Sequence, residues 1–318
     1  MQDSAYTLET DLSGLKPAEW KTRLAALSEE LGLFQPLGMR HCASFIDEGN
    51  TLLVTFETIQ GIQNLSDLAQ PLGFDLVRNL GWSHLCLISD GDTWFRDDQV
   101  YAFFDQLVDD GFFEEFDKVV FYGAGPCGYA ACAYSVAAPG ATVVAIQPQA
   151  TLDPRMTEWD ERFVEMRRTS FTDRYGYAPD MLDAADHAFI LYDPYERLDA
   201  MHAALFARSN VTRRRLPNFG DAVQTRLIEM EILYQVISMV GSDKLSNEAL
   251  TRLLRARRNN PAYLRNVMAL LDKTDRPYLM TLLCRNVAAR LRAPRFRQRL
   301  QNLRQRAADG DFTLPPEA

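Results

Sequence analysis

The chain has 318 residues, of which 47% are hydrophobic, 24% charged and 11% aromatic. That composition belongs to a folded globular protein, long enough for one large domain or two small ones, and it excludes disorder, collagen and low-complexity sequence for most of the length. A formal charge of −9 and a pI near 5.1 exclude a chain-wide nucleic-acid footprint.

The charge is unevenly divided. Up to Asp221 there are 17 Lys and Arg against 34 Asp and Glu, and beyond it 17 against 9, so the two parts carry −17 and +8. The basic part could meet an acidic partner, a phosphate-bearing ligand or its own acidic neighbour, and the intramolecular pairing is the expectation. Met1-Gln2-Asp3-Ser4 lacks the basic and apolar regions of a signal peptide, and no run approaches the ~18 apolar residues of a membrane span. A cytoplasmic protein without a membrane span is expected. The five cysteines are odd in number and form no CxxC pair, so reduced, buried thiols are expected rather than a disulfide framework or a zinc site.

The first predicted element is a helix over Pro17 to Leu33, with Pro17 near its start and Gly32 near its end, packed on the rest of the fold. From residue 51 onward short β-branched runs alternate with amphipathic stretches. Strands are predicted at Leu52–Phe56, His84–Ser89, Lys118–Tyr122, Thr142–Gln147 and Ala188–Tyr192, with helices at Asp98–Asp110, Cys127–Val136 and Tyr195–Arg208. Val119-Val120-Phe121-Tyr122 and Val143-Val144-Ala145-Ile146 are apolar throughout, as in central strands covered on both faces. The pattern is α/β, with a mostly parallel sheet between two helical layers.

After Asp221 strand signals stop. Helices follow, separated by Ser242-Asp243, Asn259-Asn260-Pro261, Asp275-Arg276-Pro277 and Ala293-Pro294, and Ser246 is a candidate N-cap. No repeat signature recurs, so this is an irregular, Arg-rich helical extension, either packed on the sheet or acting as a docking module. The predicted division is residues 1–33 as an N-terminal helical segment, 34–221 as the α/β domain, 222–308 as the extension and 309–318 as a disordered tail.

Chemistry is concentrated at Val119 to Ala131, where a buried strand enters the turn Gly123-Ala124-Gly125-Pro126-Cys127-Gly128 and leaves as a helix of small residues. Strand, sharp turn and helix is the geometry of a nucleophile elbow, and it would equally suit a loop that cradles phosphate. This stretch resembles the elbow of the α/β-hydrolase-like proteins associated with bacterial polysaccharide and glycan export, which reads approximately YG-S-S-M-G-G-Y-A-A. The resemblance covers about residues 50 to 221 and extends to Ser89-Asp90 through Trp94-Phe95, Val144 to Gln149, Asp153-Pro154 and Ile190-Leu191-Tyr192-Asp193-Pro194. It implies an α/β-hydrolase-like three-layer sandwich with Asp193 as the acid.

The resemblance also implies losses. Its serine falls at Gly125, which has no side chain; its oxyanion donor falls at Pro126, which has no N–H; and its histidine falls at Asp221. The implied protein is a hydrolase fold without Ser-His-Asp catalysis, binding a protein partner or a small anionic or sugar ligand through Gly123, Ala124, Gly125, Gly128 and Asp153. The alternative is a thiol hydrolase or acyltransferase with Cys127 as nucleophile beside a helix N-terminus, assisted by Asp193 or by His202, which lies three residues after Asp199. His41, His84 and His187 are expected to be structural.

No cofactor is expected. Gly123 to Gly128 fits G-x-G-x-x-G as a string, but it follows the third predicted strand, and there is no Walker lysine. A nucleotide site is therefore a distant alternative, and a sulfonucleotide reductase lacks its phosphate loop. Asp90, Asp92, Asp97, Asp98, Asp153 and Asp193 cluster after strand ends without metal-ligand spacing. Trp94, Phe95 and Trp159 could stack on a sugar or fill the core. The arginines at 167–168, 213–215, 255–258 and 290–299 lack interleaved aromatics, which disfavours nucleic acid.

Overall fold

The structure, a computed structural model, describes residues 7–316, so the reading of Met1–Ser4 lies outside the described residues. Eight strands form one sheet: β1 (Gly32–Leu37), β2 (His41–Ile46), β3 (Thr51–Thr58), β4 (Ser83–Ser89), β5 (Lys118–Ala124), β6 (Thr142–Ile146), β7 (His187–Tyr192) and β8 (Val211–Arg215). Their spatial order is β1-β2-β4-β3-β5-β6-β7-β8. β2 is antiparallel to both β1 and β4, and every other pairing is parallel. An antiparallel edge, an exchange of β3 and β4, and a parallel run to β8 give the α/β-hydrolase-like sandwich.

Alternation along the central strands divides the interior. Leu52, Val54, Phe121, Val143, Ala145 and Ile190 face one apolar core, with the helix Pro126–Tyr134 buried against it. Leu53, Val120, Tyr122, Val144, Ile146 and Leu191 face the other. The N-terminal helix, Pro17–Leu31, seats Trp20, Leu24 and Leu27 against Cys42, Ile46, Cys86 and Ile88. Its Trp20 indole donates to the Ala69 carbonyl at 2.7 Å. All five cysteines are free and buried.

Three strands escape the sequence pattern. β1 contains Gly32 and Pro36, β2 carries the polar His41 and Ser44, and β8 holds Arg213-Arg214-Arg215 on the sheet's last strand. An edge strand needs to be apolar on neither face, and cationic side chains there discourage pairing with other chains.

The change at Asp221 is one of secondary structure and leaves the core continuous. Helices Val223–Glu229 and Ile232–Gly241 insert Val223, Leu227, Val236 and Ile237 into the core beside β5 and β6. Helices Pro261–Lys273, Pro277–Arg290 and Pro294–Ala308 build a separate small core from Leu264, Met280, Cys284, Phe296 and Leu300. Arg299 pairs with Asp272 inside this bundle, and Ser246 caps its helix by accepting from Ala249 N–H at 3.1 Å. The tail expected to be disordered is engaged over its described part: Phe312 packs on the bundle, and Arg285 donates to the Pro315 carbonyl at 2.8 Å. No helix among the described residues is long and apolar enough to cross a membrane.

Candidate functional site

β5 ends in the elbow. Gly125 sits at φ +57°, ψ −125°, a left-handed backbone that side-chain-bearing residues adopt only under strain. Its N–H donates to the Ile146 carbonyl at 2.8 Å, and its carbonyl accepts from Tyr129 N–H at 3.0 Å. A Cβ on Gly123 would lie 2.1 Å from the Cys127 carbonyl oxygen, and one on Gly128 would lie 3.2 Å from the carbonyl oxygens of Gly123 and Ile146. These two glycines permit the close packing of strand and helix. A Cβ on Gly125 would meet nothing within 4 Å. Gly125, where the resemblance places the nucleophile, thus combines a positive-φ backbone with open space in the side-chain direction. The next position, Pro126, begins the helix and offers no N–H.

Asp193, which the resemblance implies as the acid, follows the end of β7 and is 1% exposed. Its Oδ2 accepts from Gly220 N–H at 2.7 Å and its Oδ1 from Tyr195 N–H at 2.9 Å. Gly220 belongs to the loop in which the resemblance places the histidine, and that place is taken by the exposed Asp221.

His202 pairs with Asp160 instead of the expected Asp199. Its Nε2 lies 2.9 Å from Asp160 Oδ2, and its Nδ1 accepts from Ala150 N–H at 3.1 Å, which fixes a neutral ring with the proton on Nε2. Asp199 bonds Arg162 at 2.7 Å and Gln147 at 2.6 Å. Burial alone raises the Asp160 carboxyl, but bonds from His202 and Arg162 reverse this and hold it well below the ordinary range. These side chains brace the loop after β6. Asp153 belongs to that brace as well: it caps its helix through Arg155 N–H at 3.0 Å and binds the Arg155 guanidinium at 2.6 Å.

None of the four histidines hydrogen-bonds Cys127. His41 bonds Thr93 at 2.8 Å, His84 bonds Thr55 at 2.9 Å, and His187 bonds Thr212 at 2.9 Å. Burial pushes the Cys127 thiol well above its ordinary range, and the negative charges of Asp92 and Glu57 push it further. The helix N-terminus expected to favour a thiolate is outweighed.

The elbow opens onto a cavity of about 860 Å³, within the range of small-molecule sites. Ala124, Pro126 and Cys127 form its elbow wall, with Glu57 from the end of β3 and Asp92 from the loop after β4. Gln224, Ile228, Glu231 and Tyr234, all beyond Asp221, close the opposite side. The helical extension thus completes the site. Of the five expected binding residues Ala124 lines the cavity, whereas Gly123, Gly125, Gly128 and Asp153 are not among the cavity-lining residues, and Trp94 and Phe95 are core residues at 1% exposure.

Glu57 is the side chain that sequence reasoning missed. Its carboxylate accepts from Thr55 Oγ1 at 2.7 Å, Leu72 N–H at 3.1 Å and Cys86 Sγ at 3.4 Å. Because Thr55 donates to Glu57, its oxygen accepts from His84 Nε2, leaving the buried His84 Nδ1 without a partner. Desolvation raises the Glu57 carboxyl in spite of these donors. Glu57, His84 and Cys86 hold their candidate ligand atoms within 4.8 Å of one another, but the bonds above already occupy the carboxylate and one imidazole nitrogen. A hydrogen-bonded relay accounts for the group without a metal.

No family model and no curated protein matches the sequence. Among solved structures, the chain is similar to the Glycosylation Associate Protein (Gap123) complex from Streptococcus agalactiae, at 13% identity and a TM-score of 0.42, covering 66% of this chain and 47% of that one. The chain thus spans about half the length of that structure. It is also similar to the serine hydrolase FphF of Staphylococcus aureus, at 11% identity and a TM-score of 0.40, covering 62% of this chain and 94% of that one. Brefeldin A esterase, described as a bacterial homologue of human hormone sensitive lipase, matches at 15% identity and a TM-score of 0.40, with 67% and 74% covered.

Proposed function

We propose that the protein is a catalytically degenerate α/β-hydrolase-like protein that binds a small hydroxylated ligand, a sugar or sugar derivative, in the elbow cavity, as a cytoplasmic accessory of glycan metabolism. The observation that carries this reading is Gly125: its backbone has the strained elbow conformation, its missing side chain would point into open space, and Pro126 follows it. A binding role explains why the cavity persists when nucleophile, oxyanion donor and base are absent together. Its lining combines hydrogen-bonding groups, Glu57, Asp92 and Gln224, with apolar surface from Ile62, Leu72 and Ile228, as a sugar ring requires. The sequence resemblance supports the link to glycans, and five buried free thiols suit a reducing compartment.

The carboxylates weigh against the anionic ligand that the sequence left open. Two measurements test the reading together: hydrolysis of p-nitrophenyl acetate and of a thioester, and saturation-transfer NMR with monosaccharides. No turnover above the buffer rate is expected, with saturable monosaccharide binding that Ile228→Trp abolishes by filling the cavity. Sustained turnover, or no binding across the monosaccharides, would overturn it.

A further inference from the structure

The intramolecular charge pairing expected from the sequence does not form. Among the described residues a single ion pair joins the part up to Asp221 to the part beyond it, Lys118 with Asp243 at 2.6 Å. Its polarity is the reverse of the expected one, because the basic side chain belongs to the acidic part. From Arg276 to Ala308 the chain holds nine arginines and no lysine, aspartate or glutamate. Arg299 and Arg306 pair with Asp272, Asp275 and Asp311, all within the extension, and Arg285 and Arg290 donate to carbonyl and amide oxygens. Arg276, Arg292, Arg295, Arg297 and Arg304 are exposed and make no side-chain hydrogen bond or ion pair among the described residues.

The same surface carries apolar side chains. On helix Pro277–Arg290, Tyr278 and Leu282 lie one turn apart with Leu279 beside them, at 45%, 43% and 46% exposure. Three residues join this helix to Pro294–Ala308, and Arg306 reaches Asp275 at 4.0 Å, so the two helices run antiparallel and Arg304 comes to the Tyr278 end. Unpaired arginines beside an exposed tyrosine and leucines are the composition of an interface. A complement lies on the same chain. Asp109, Asp110, Glu114, Glu115 and Asp117 are exposed, form no ion pair among the described residues and have no basic residue between them. Glu114 and Asp117 line a cavity of about 370 Å³ together with Val108, Phe116, Ala137 and Pro139. That cavity lies where β5 and β6 begin, whereas the helical bundle is anchored beyond the other end of the parallel strands, where Asn266 donates to the Asn218 carbonyl at 3.1 Å.

We infer that the arginine face of the last two helices docks on the acidic end of a second copy of this chain, with Tyr278, Leu279 and Leu282 against the apolar cavity beside Val108 and Phe116. The two surfaces differ and lie toward opposite ends of the sheet, so the contact is head-to-tail and joins copies into a ring or a chain. Each copy carries −9, and association is therefore steered by the opposed charges of the two ends, against the net repulsion. An anionic lipid surface or a nucleic acid would also attract these arginines, but it would repel the rest of a chain whose first part carries −17. A second copy matches both the charge and the apolar side chains of the face.

The test is sedimentation velocity of the full chain over a range of concentrations and salt. Reversible association is expected at about 0.02 M salt and its loss at about 1 M, where the screening length falls to about 3 Å. Two charge-reversed variants follow, Arg297→Glu with Arg304→Glu and Glu114→Arg with Glu115→Arg, all at exposed positions. Each alone brings like charges together and should weaken association at least about tenfold. An equimolar mixture of the two should restore it, because one contact is then native and the other has its charges exchanged, and this recovery also shows that both variants are folded. Arg297→Gln with Arg304→Gln should fall between the wild type and the reversed variant. A chain that stays monomeric at low salt overturns the inference, as does association that the reversals leave unchanged or that mixing does not restore. Cosedimentation of a monomeric chain with phosphatidylglycerol vesicles would assign the face to a membrane and overturn it too.

Discussion

Asp193 Oδ2 accepts the Gly220 backbone N–H at 2.7 Å, so the carboxylate at the end of β7 ties down the loop that precedes Asp221. With Oδ1 on Tyr195 N–H, both oxygens of a buried side chain are committed to backbone donors. This is the work of a structural clasp. Asp193→Ala should lower unfolding free energy by about 2 kcal/mol, since two backbone donors lose their acceptor. Asp193→Asn, which keeps one acceptor oxygen, should lose less. Urea denaturation of the two variants checks this, and a change within experimental error in Asp193→Ala would contradict the clasp.

Gly125→Ser restores the nucleophile's atoms without its partners. The side chain has room, because a Cβ there meets nothing within 4 Å, but the φ of +57° makes any side chain strained. A destabilisation of about 1 kcal/mol is expected, with ester hydrolysis remaining at the buffer rate. Pro126 has no N–H to serve as an oxyanion donor, and an exposed aspartate, Asp221, stands where the resemblance places the histidine. Steady turnover of p-nitrophenyl acetate by this variant would show that the elbow retains machinery that the geometry does not reveal.

The strand, turn and helix around Gly125 were legible because their constraints are local. Gly123, Gly125 and Gly128 mark the tight turn and close helix packing, and the apolar runs of β5 and β6 mark strands covered on both faces. The cavity was not legible, because its walls come from Glu57, Asp92, Cys127 and Gln224, far apart in the chain and ordinary in local context. Gln224 lies on an amphipathic helix whose sequence says only that one face is buried. His202 shows the same limit: its spacing from Asp199 allows contact on a helix, but Asp160, 42 residues away, is placed by the loop after β6. β8 was read as a basic stretch because three successive arginines obscure strand periodicity on a sheet edge.

Cys127 should be unreactive in the folded protein. Burial and the neighbouring carboxylates raise its thiol, so little thiolate exists near neutral pH. Iodoacetamide labelling with peptide mapping is expected to stay slow at this residue from about pH 6 to pH 9, and to accelerate only when denaturant opens the core. Rapid, selective modification of Cys127 below about pH 8 would reinstate the thiol-enzyme alternative. The same displacement has a stability consequence: the unfolded thiol ionises at a lower pH than the folded one, so its contribution falls as pH rises past the unfolded value of about 8.5.

Acid should weaken the fold through His84 and His41. Desolvation lowers His84 to about 3, and desolvation lowers His41 to about 4 even though Asp97 opposes it. In the unfolded chain both protonate near pH 6.5, so between about pH 6.5 and the folded values the unfolded state binds more protons. Their contribution is therefore intact above about pH 6.5 and is lost as pH falls, with each histidine adding up to about 1.4 kcal/mol per pH unit to the slope. Urea unfolding free energies measured from about pH 7.5 to pH 4.5 should show this decline. His84→Asn should flatten it by the share of one residue whatever its effect on absolute stability. An unchanged slope in that variant would mean that the His84 ring takes up its proton in the folded protein as readily as in the unfolded chain, which its enclosure between Thr55 and Phe74 opposes.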